Sequence, residues 1–229
     1  MHNLKAGANL MGVAWEGVLT ADGKIALSDM MPDTAKLTSY GMEEGDYVMT
    51  WDIGLGWDAT YFYINDPSWN YDDVDYTDTW MTAGMIPCSP MLEAGQAFWL
   101  FLKEDINDFA FKGQVAENGA ITTLAEGMNL IANPLPRIIN FADSSVVTVT
   151  GATSYDAVEG DSIMTWDIGS GWGAVYYYIN QPSWNYDDVD YTDTWMTAGM
   201  MPGAAVIPVG SGFWYFATNA GTEIMFKGL

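Results

Sequence analysis

The sequence repeats itself over most of its length, and this repetition restricts the possible folds more than any other feature. The segment PSWNYDDVDYTDTWMTAGM occurs at residues 67–85 and again, unchanged at every position, at residues 182–200. The second copy therefore lies 115 residues after the first. The same offset aligns the sequence MTWDIG at residues 49–54 with residues 164–169. An internal duplication is the first conclusion that the sequence supports.

The tryptophans follow the same duplication. Ten of the eleven tryptophans form pairs at the offset of 115, and Trp15 is left without a counterpart. Farther upstream, GANL at residues 7–10 matches GMNL at residues 127–130 with an offset of 120, so the first copy carries five extra residues between these blocks. Each copy is long enough to form its own domain. The sequence predicts two tandem domains, residues 1–115 and 116–229.

Each copy has the residue pattern of a β structure. The runs YVMTWDIG and GWDATYFYIN predict a hairpin around residues 54–56, and SIMTWDIG and GWGAVYYYIN predict its equivalent around residues 169–171. AFWLFLK and GFWYFAT are aromatic-rich segments typical of strands. The predicted fold class is all-β, with two tandem antiparallel β-sandwich-like domains that arose by internal duplication.

Three shorter segments carry further expectations. LSDMMPD at residues 27–33 predicts one helical turn. FAFKG and IMFKG, which end at residues 113 and 228, predict a closing strand in each copy. Asn118-Gly119 is a hairpin signal, so we expect the connection over residues 114–126 to form a pair of strands.

Charge and composition exclude several classes of function. The formal net charge is −23 and the chain has only seven lysines and arginines, too few to neutralise a nucleic-acid backbone or to bind an anionic membrane surface. No apolar run is long enough to span a bilayer, so membrane insertion is not expected. Cys88 is the one cysteine and aligns with Gly203, so neither an intrachain disulfide nor a shared redox site is expected.

The sequence also argues against an enzyme. His2 is the one histidine, which leaves catalytic triads and histidine-based metal sites without a base. The sequence contains no glycine-rich phosphate-binding motif. A pair of carboxylates could hydrolyse a glycoside, but solvated loop acids explain the aspartates more simply. We expect a protein that is not an enzyme and requires no cofactor.

Two segments of the second copy resemble a known group of proteins. GMNLIANPLPRIINF at residues 127–141 and IPVGSGFWYF at residues 207–216, together with the WD-x-G and GW motifs, resemble β-sandwich modules of secreted bacterial cell-surface repeat proteins. The first copy matches this pattern less well, because its opening strand lacks the Asn-Pro-x-Pro turn. The resemblance implies a non-enzymatic module in an extracellular or cell-surface location. The first residues of the sequence lack the apolar stretch of a signal peptide.

The repeated segment supplies the candidate site. Its aromatic and methionine side chains are typical of adaptable apolar contacts between proteins, and its tryptophans and tyrosines could instead stack on sugar rings. A third interpretation is that the aromatic side chains anchor a long loop to the sandwich. The candidate interface or ligand-binding residues are Trp69, Tyr71, Tyr76, Trp80, Met81, Trp184, Tyr186, Tyr191, Trp195 and Met196.

The aspartates of the segment suggest a possible calcium site. Closely spaced carboxylates can supply the oxygen ligands that calcium prefers, although the spacing is not that of an EF-hand. Turn capping by aspartate and asparagine side chains is the interpretation that we favour. The possible metal ligands are Asp72, Asp73, Asp75, Asp78, Asp187, Asp188, Asp190 and Asp193.

These observations lead to a functional expectation with one alternative. Two identical surfaces on one chain suit a subunit that polymerises head-to-tail with itself, as in a surface filament, sheath or surface layer. The alternative is a glycan-binding or adhesive module that uses the duplicated Trp/Tyr/Asp loop, in a form stabilised by calcium or without calcium. Recent duplication would also leave the segment unchanged without any functional cause.

Overall fold

The protein is described by a computed structural model over residues 2–13, 15–16, 24–41, 44–52, 55–69, 75–93, 95–112, 114–115, 119–156, 159–182 and 191–228. At residues 15, 16, 69, 114 and 115 the description covers the backbone. Every strand pairing in these ranges is antiparallel. The prediction of an all-β fold is therefore confirmed.

The strands of the first half contribute four sheets. They are β1 (His2–Leu4), β2 (Gly7–Gly12), β3 (Trp15–Glu16), β4 (Lys24–Ala26), β5 (Tyr47–Asp52), β6 (Gly56–Ile64), β7 (Thr79–Thr82), β8 (Pro87–Cys88), β9 (Met91–Glu93), β10 (Ala97–Leu102), β11 (Ile106–Phe109) and β12 (Gln114–Val115). The largest sheet has the order β2-β10-β5-β6-β7-β8, and the smaller sheets pair β1 with β11, β3 with β12, and β4 with β9.

The second half repeats the arrangement. Its strands are β13 (Gly119–Thr123), β14 (Gly127–Ala132), β15 (Ile139–Asn140), β16 (Val147–Thr150), β17 (Ser162–Asp167), β18 (Gly171–Ile179), β19 (Thr194–Thr197), β20 (Val206–Ile207), β21 (Gly212–Ala217) and β22 (Glu223–Lys227). The main sheet has the order β14-β21-β17-β18-β19, which matches β2-β10-β5-β6-β7 strand for strand. Each sheet among the described residues is built from the strands of one half.

The two predicted hairpins are confirmed, including a shared irregularity. In the first half Trp51 lies opposite Trp57, and in the second half Trp166 lies opposite Trp172. The register shifts just before this pair in both hairpins, between residues 49 and 51 and between their equivalents. Because a bulge re-aims the side chains that follow it, its presence in both halves preserves the same tryptophan geometry.

The second strand of each main sheet, β10 in the first half and β21 in the second, buries both of its faces. In β10, Phe98 and Leu100 belong to the core of the first half, whereas Ala97 and Trp99 belong to a separate cluster between the halves. Side chains alternate between the two faces of a strand, so a strand that is buried on both faces reads as almost continuously apolar. This double burial explains the sequence AFWLFL.

Helical structure is confined to short turns in the described ranges. The predicted turn forms α1 (Leu27–Met30), which buries Leu27 and Met30, and 3₁₀ turns cover Thr34–Lys36 and Pro67–Trp69. No helix in these parts of the chain is long and apolar enough to cross a membrane.

Two expectations for strands need correction. The segment over residues 114–126 does contain two strands, but they do not pair with each other: β12 pairs with β3 in the first half, and β13 pairs with β22 in the second. The closing strand of the second half, β22, includes Phe226 as predicted. In the first half, however, the equivalent strand β11 ends at Phe109, before Phe111.

Candidate functional site

The two halves meet through a cluster of apolar side chains that both contribute. Its buried members are Leu10, Ala97, Trp99, Leu130, Ala132 and Trp214. Leu10 and Trp99 align with Leu130 and Trp214, whereas Ala97 and Ala132 align with glycines, Gly212 and Gly12, that lie directly against them. Contact of one patch with its own equivalent defines an isologous interface.

Hydrogen bonds across this interface are reciprocal. Trp51 Nε1 donates to the carbonyl oxygen of Met128 at 3.3 Å, and Trp166 Nε1 donates to that of Ala8 at 3.1 Å. Similarly, the amide of Gly12 donates to Gly210, and the amide of Ala132 donates to Gly95, both at 2.9 Å. In both pairs of bonds, exchanging the two halves converts one bond of the pair into the other. The halves are therefore related by a pseudo-two-fold axis.

Tryptophan packing obeys the same symmetry. The rings of Trp51 and Trp214 are perpendicular with centroids 4.7 Å apart, and those of Trp99 and Trp166 have the same separation and angle. Perpendicular packing places the edge of one ring against the π face of the other and adds to the energy of apolar burial. Two of the five tryptophan pairs, 51/166 and 99/214, therefore pack against each other across the interface between the halves.

A close approach of backbones marks the position of the axis. A Cβ atom at Gly12 would lie 2.8 Å from the Cβ of Ala132, and one at Gly212 would lie 2.7 Å from the Cβ of Ala97. Residues 12 and 132 are equivalent, as are 97 and 212, so each position packs against its own counterpart. The axis must pass between them.

This symmetry removes the argument on which the prediction of head-to-tail polymerisation was based. That prediction assumed that one molecule would meet the next as the first copy meets the second within the chain. The contact within the chain is isologous, and an isologous contact closes on itself because both copies have already used the same patch. Growth into a polymer would need another surface.

The strand that ends the repeated segment is buried, and this corrects part of the predicted contact surface. Trp80 and Trp195 are 3% and 6% exposed and belong to the cores of their halves, and Met81 and Met196 are each 2% exposed. These four side chains are not available on the surface of the folded chain. Their invariance is explained by packing.

The hydroxyls and carboxylates beside this strand also have structural roles. Tyr63 donates its hydroxyl to Asp78 Oδ1 at 2.9 Å, and Tyr178 donates equivalently to Asp193 at 2.5 Å. Burial, together with the adjacent carboxylate, raises the pKa of both tyrosines. Asp75 Oδ1 accepts from the amide of Thr77 at 2.9 Å and from its hydroxyl at 2.7 Å, which is a turn-capping arrangement.

The remaining candidates are only partly covered by the described residues. Tyr76 and Tyr191 are half-buried, and the side chain of Trp69 falls outside the description. Within the described ranges, no group of three or more histidine, cysteine, aspartate or glutamate side chains is arranged to hold a metal ion. Calcium binding stays a prediction. The other candidates also lie outside the described residues: Tyr71, Asp72, Asp73, Trp184, Tyr186, Asp187, Asp188 and Asp190.

The exposed region next to the buried strand of the repeated segment is a short turn formed by the end of the segment and the two residues that follow it. We call residues 82–87 and 197–202 the two tips. Ile86 and Met201 are equivalent tip residues, 65% and 66% exposed, and each is followed by an exposed proline. Apolar side chains are therefore displayed at the same place in both halves.

Each tip holds a methionine in an unfavourable backbone conformation. Met85 and Met200 have φ values of 56° and 57°, in the left-handed region that side chains with a Cβ seldom occupy. A backbone bond from each methionine amide to the carbonyl oxygen three residues earlier, 2.9 Å long, closes the turn. Strain of this kind persists only where the surrounding structure enforces it, and it is often found at functional sites.

Sequence reasoning associated the methionines at the end of the repeated segment with protein contacts but did not assign the tips as a site, and it missed one pair of exposed tryptophans. Trp57 and Trp172 are 54% and 61% exposed, although each lies beside the buried cluster. The tips had a detectable signal, because MTAGMIP and MTAGMMP place apolar residues around an Ala-Gly turn. The exposed tryptophans had none, since their pairing in the sequence resembles that of the buried ones.

Comparison with family models, with curated proteins and with solved structures finds no match for this chain.

Proposed function

We propose that this protein is a non-enzymatic structural subunit that self-associates through its two tips to build an extracellular filament, sheath or surface layer. The observation that carries the proposal is the pair of equivalent tips, each with an exposed apolar residue beside a strained methionine. Exposed apolar side chains at a defined position are typical of protein contacts. The resemblance to modules of secreted surface proteins supports the location.

The two-fold arrangement suggests how such a subunit polymerises. The interface between the halves makes the chain one body with two equivalent tips. If a tip binds a tip of another molecule, every molecule has two attachment points, and the molecules join into an open chain wherever the rotation between neighbours does not close a ring. The proposed polymer is therefore built from tip-to-tip contacts, in place of the head-to-tail contacts expected from the sequence.

The proposal is tested by measuring the molar mass of the particles in solution as a function of protein concentration. We expect the wild-type protein to form particles much larger than a monomer in light scattering and elongated assemblies in negative-stain microscopy. The double variant Ile86→Asp with Met201→Asp should remain monomeric, because a charge at each tip must be desolvated on contact.

Ile138→Asp is the matched control, since Ile138 is 59% exposed but lies outside the tips. It should assemble as the wild type does. A wild-type protein that remains monomeric at every concentration, or a double variant that assembles normally, would contradict the proposal.

Glycan binding by the repeated segment remains the alternative function. Of the aromatic side chains on which it depended, Trp80 and Trp195 are buried, and Tyr76 and Tyr191 are half-buried. Trp69, Tyr71, Trp184 and Tyr186 are the side chains through which that alternative would have to act.

A further inference from the structure

A cleft of about 570 Å³ lies between the halves on one side of the two-fold axis. The first half contributes strands β4, β5, β6 and β9 and the turn before β10. The second half contributes β13 and β14. Small-molecule sites have volumes in this range and are often found where two domains meet. The polar side chains that line the cleft are those of Lys24, Asp52, Asp58, Glu93, Gln96, Thr122 and Thr123.

Several of these polar groups are already held in position. Gln96 accepts a hydrogen bond from the amide of Glu93 at 2.9 Å and donates to the carbonyl oxygen of Trp51 at 3.3 Å. Lys24 forms an ion pair with Glu93 at 3.3 Å, and Asp58 accepts from the hydroxyl of Thr50 at 3.1 Å. Fixed donors and acceptors reduce the entropy that a ligand must overcome.

The second half provides an internal comparison, because the duplication creates an equivalent location across the axis. Asp52 has Asp167 as its counterpart, but Asp58, Glu93 and Gln96 are replaced there by glycine, proline and serine at residues 173, 208 and 211. The first half therefore places an additional set of hydrogen-bonding side chains around its cleft.

The shape of the two locations differs as well. Gly95 lines the cleft, and a Cβ atom built on it would have no atom within 4 Å. At the equivalent Gly210, a Cβ atom would lie 2.9 Å from the imidazole of His2. His2 aligns with Thr122, which lines the cleft. The imidazole thus covers the glycine on one side of the axis, while the other side is open.

We propose that this cleft binds a neutral, hydroxyl-rich ligand of the sugar class. Its lining combines acceptors on Asp52, Asp58 and Glu93, a donor on Lys24, which is paired with Glu93, and groups of both kinds on Gln96 and the two threonines. Hydroxyls of a sugar donate and accept, so they can satisfy this mixed set without a charge of their own. The proposal is independent of tip-to-tip assembly and concerns different residues.

The test begins with the wild-type protein on an array of neutral glycans, followed by calorimetry with the oligosaccharide that binds most strongly. Asp52→Asn keeps the side-chain shape, and Asp58→Gly introduces the residue of the second half. Each is expected to weaken binding by about tenfold or more, because a hydrogen bond to a charged group is lost. Thermal unfolding of each variant identifies any loss of folded protein.

Asp167→Asn is the matched control, since residue 167 is the counterpart of Asp52 across the axis, and it should bind as the wild type does. Three outcomes would overturn the proposal. They are a silent array, equal weakening by Asp167→Asn and Asp52→Asn, and binding of spermidine without binding of any neutral oligosaccharide. Light scattering of the same variants should show unchanged assembly, so failure here is distinguishable from failure of the proposed function.

Discussion

Individual side chains explain much of the invariance of the repeated segment. Asp78 and Asp193 have φ values of 52° and 48°, and each accepts a hydrogen bond from a tyrosine of the neighbouring strand. Aspartate tolerates the left-handed conformation better than most residues do. Backbone conformation and hydrogen bonding therefore account for an aspartate at this position in both halves, whatever the function of the segment.

The tyrosine–aspartate bond gives a prediction at the residue scale. Tyr63→Phe should lower the free energy of unfolding by about 1 kcal/mol, because one hydrogen bond to a carboxylate is lost. Urea unfolding of Tyr63→Phe, Asp78→Asn and the double variant measures the coupling between the two side chains. Tyr178→Phe should have a similar effect in the other half. Strictly additive losses in the double variant would contradict the assigned bond.

A buried carboxylate gives a second prediction. Asp46 is 1% exposed and accepts from the amides of Thr38 and Lys103, both at 2.8 Å. Burial raises the pKa of Asp46 above its ordinary value of 3.8 despite these bonds. The folded state therefore binds this proton more tightly than the unfolded state does. The resulting stabilisation is complete below the unfolded pKa and is lost as pH rises through the folded pKa.

We therefore expect the unfolding free energy of the wild type to exceed that of Asp46→Asn by the largest margin at a pH below 3.8, and this margin should shrink as the pH rises above that value. Urea unfolding at a series of pH values measures it. The variant is also expected to be less stable throughout, because an amide cannot accept both backbone bonds. An advantage that grows with pH would show that the direction of the pKa shift is wrong.

Prediction from sequence was least successful in deciding which individual side chains are exposed to solvent. Trp80 and Met81 are adjacent in β7 and therefore point to opposite faces of the sheet, yet both are buried. A strand buried on both faces has no polar–apolar alternation, so the sequence alone did not separate its core residues from surface ones. The acidic residues around them made a surface interpretation the natural one.

At the scale of elements, the sequence predicted the pairing of neighbouring strands but not the pairing of strands that lie far apart in the sequence. The hairpins β5-β6 and β17-β18 were predictable because a short turn joins neighbouring strands. The partners of β12 and β13 were not, because each pairs with a strand far away in the sequence. Local signals such as Asn118-Gly119 carry no information about such pairings.

The contact between β2 and β14 gives a prediction at this scale. Gly12→Ala would place a Cβ atom 2.7 Å from the carbonyl oxygen of Ser211 and 2.8 Å from the Cβ of Ala132. Backbone atoms cannot move aside cheaply, so we expect a loss of about 1–3 kcal/mol in unfolding free energy.

Gly84→Ala is the control, since a Cβ at that exposed position would lie 3.7 Å from the hydroxyl oxygen of Thr82, which is an ordinary contact. Denaturant unfolding of both variants makes the comparison. Equal stability of Gly12→Ala and the wild type would contradict the close approach of the two halves.

At the scale of the whole molecule, duplication gives the protein two equivalent tips, whereas each half alone has one. Reciprocal tryptophan contacts make the halves one body, and the symmetry of that body sets two equivalent tips on it. The sequence revealed the duplication and the pairing of the tryptophans. It contained no signal for the two-fold axis, because the close approach at Gly12 and Gly212 depends on how the folded halves dock.

The most direct test of tip-to-tip assembly is the mass of variants with a single altered tip. Ile86→Asp alone and Met201→Asp alone each leave one intact tip, so we expect both variants to stop at dimers while the wild type forms long polymers. Sedimentation velocity over a range of concentrations measures this distribution. Long polymers formed by either single variant would contradict the account, because growth would then depend on a surface other than the tips.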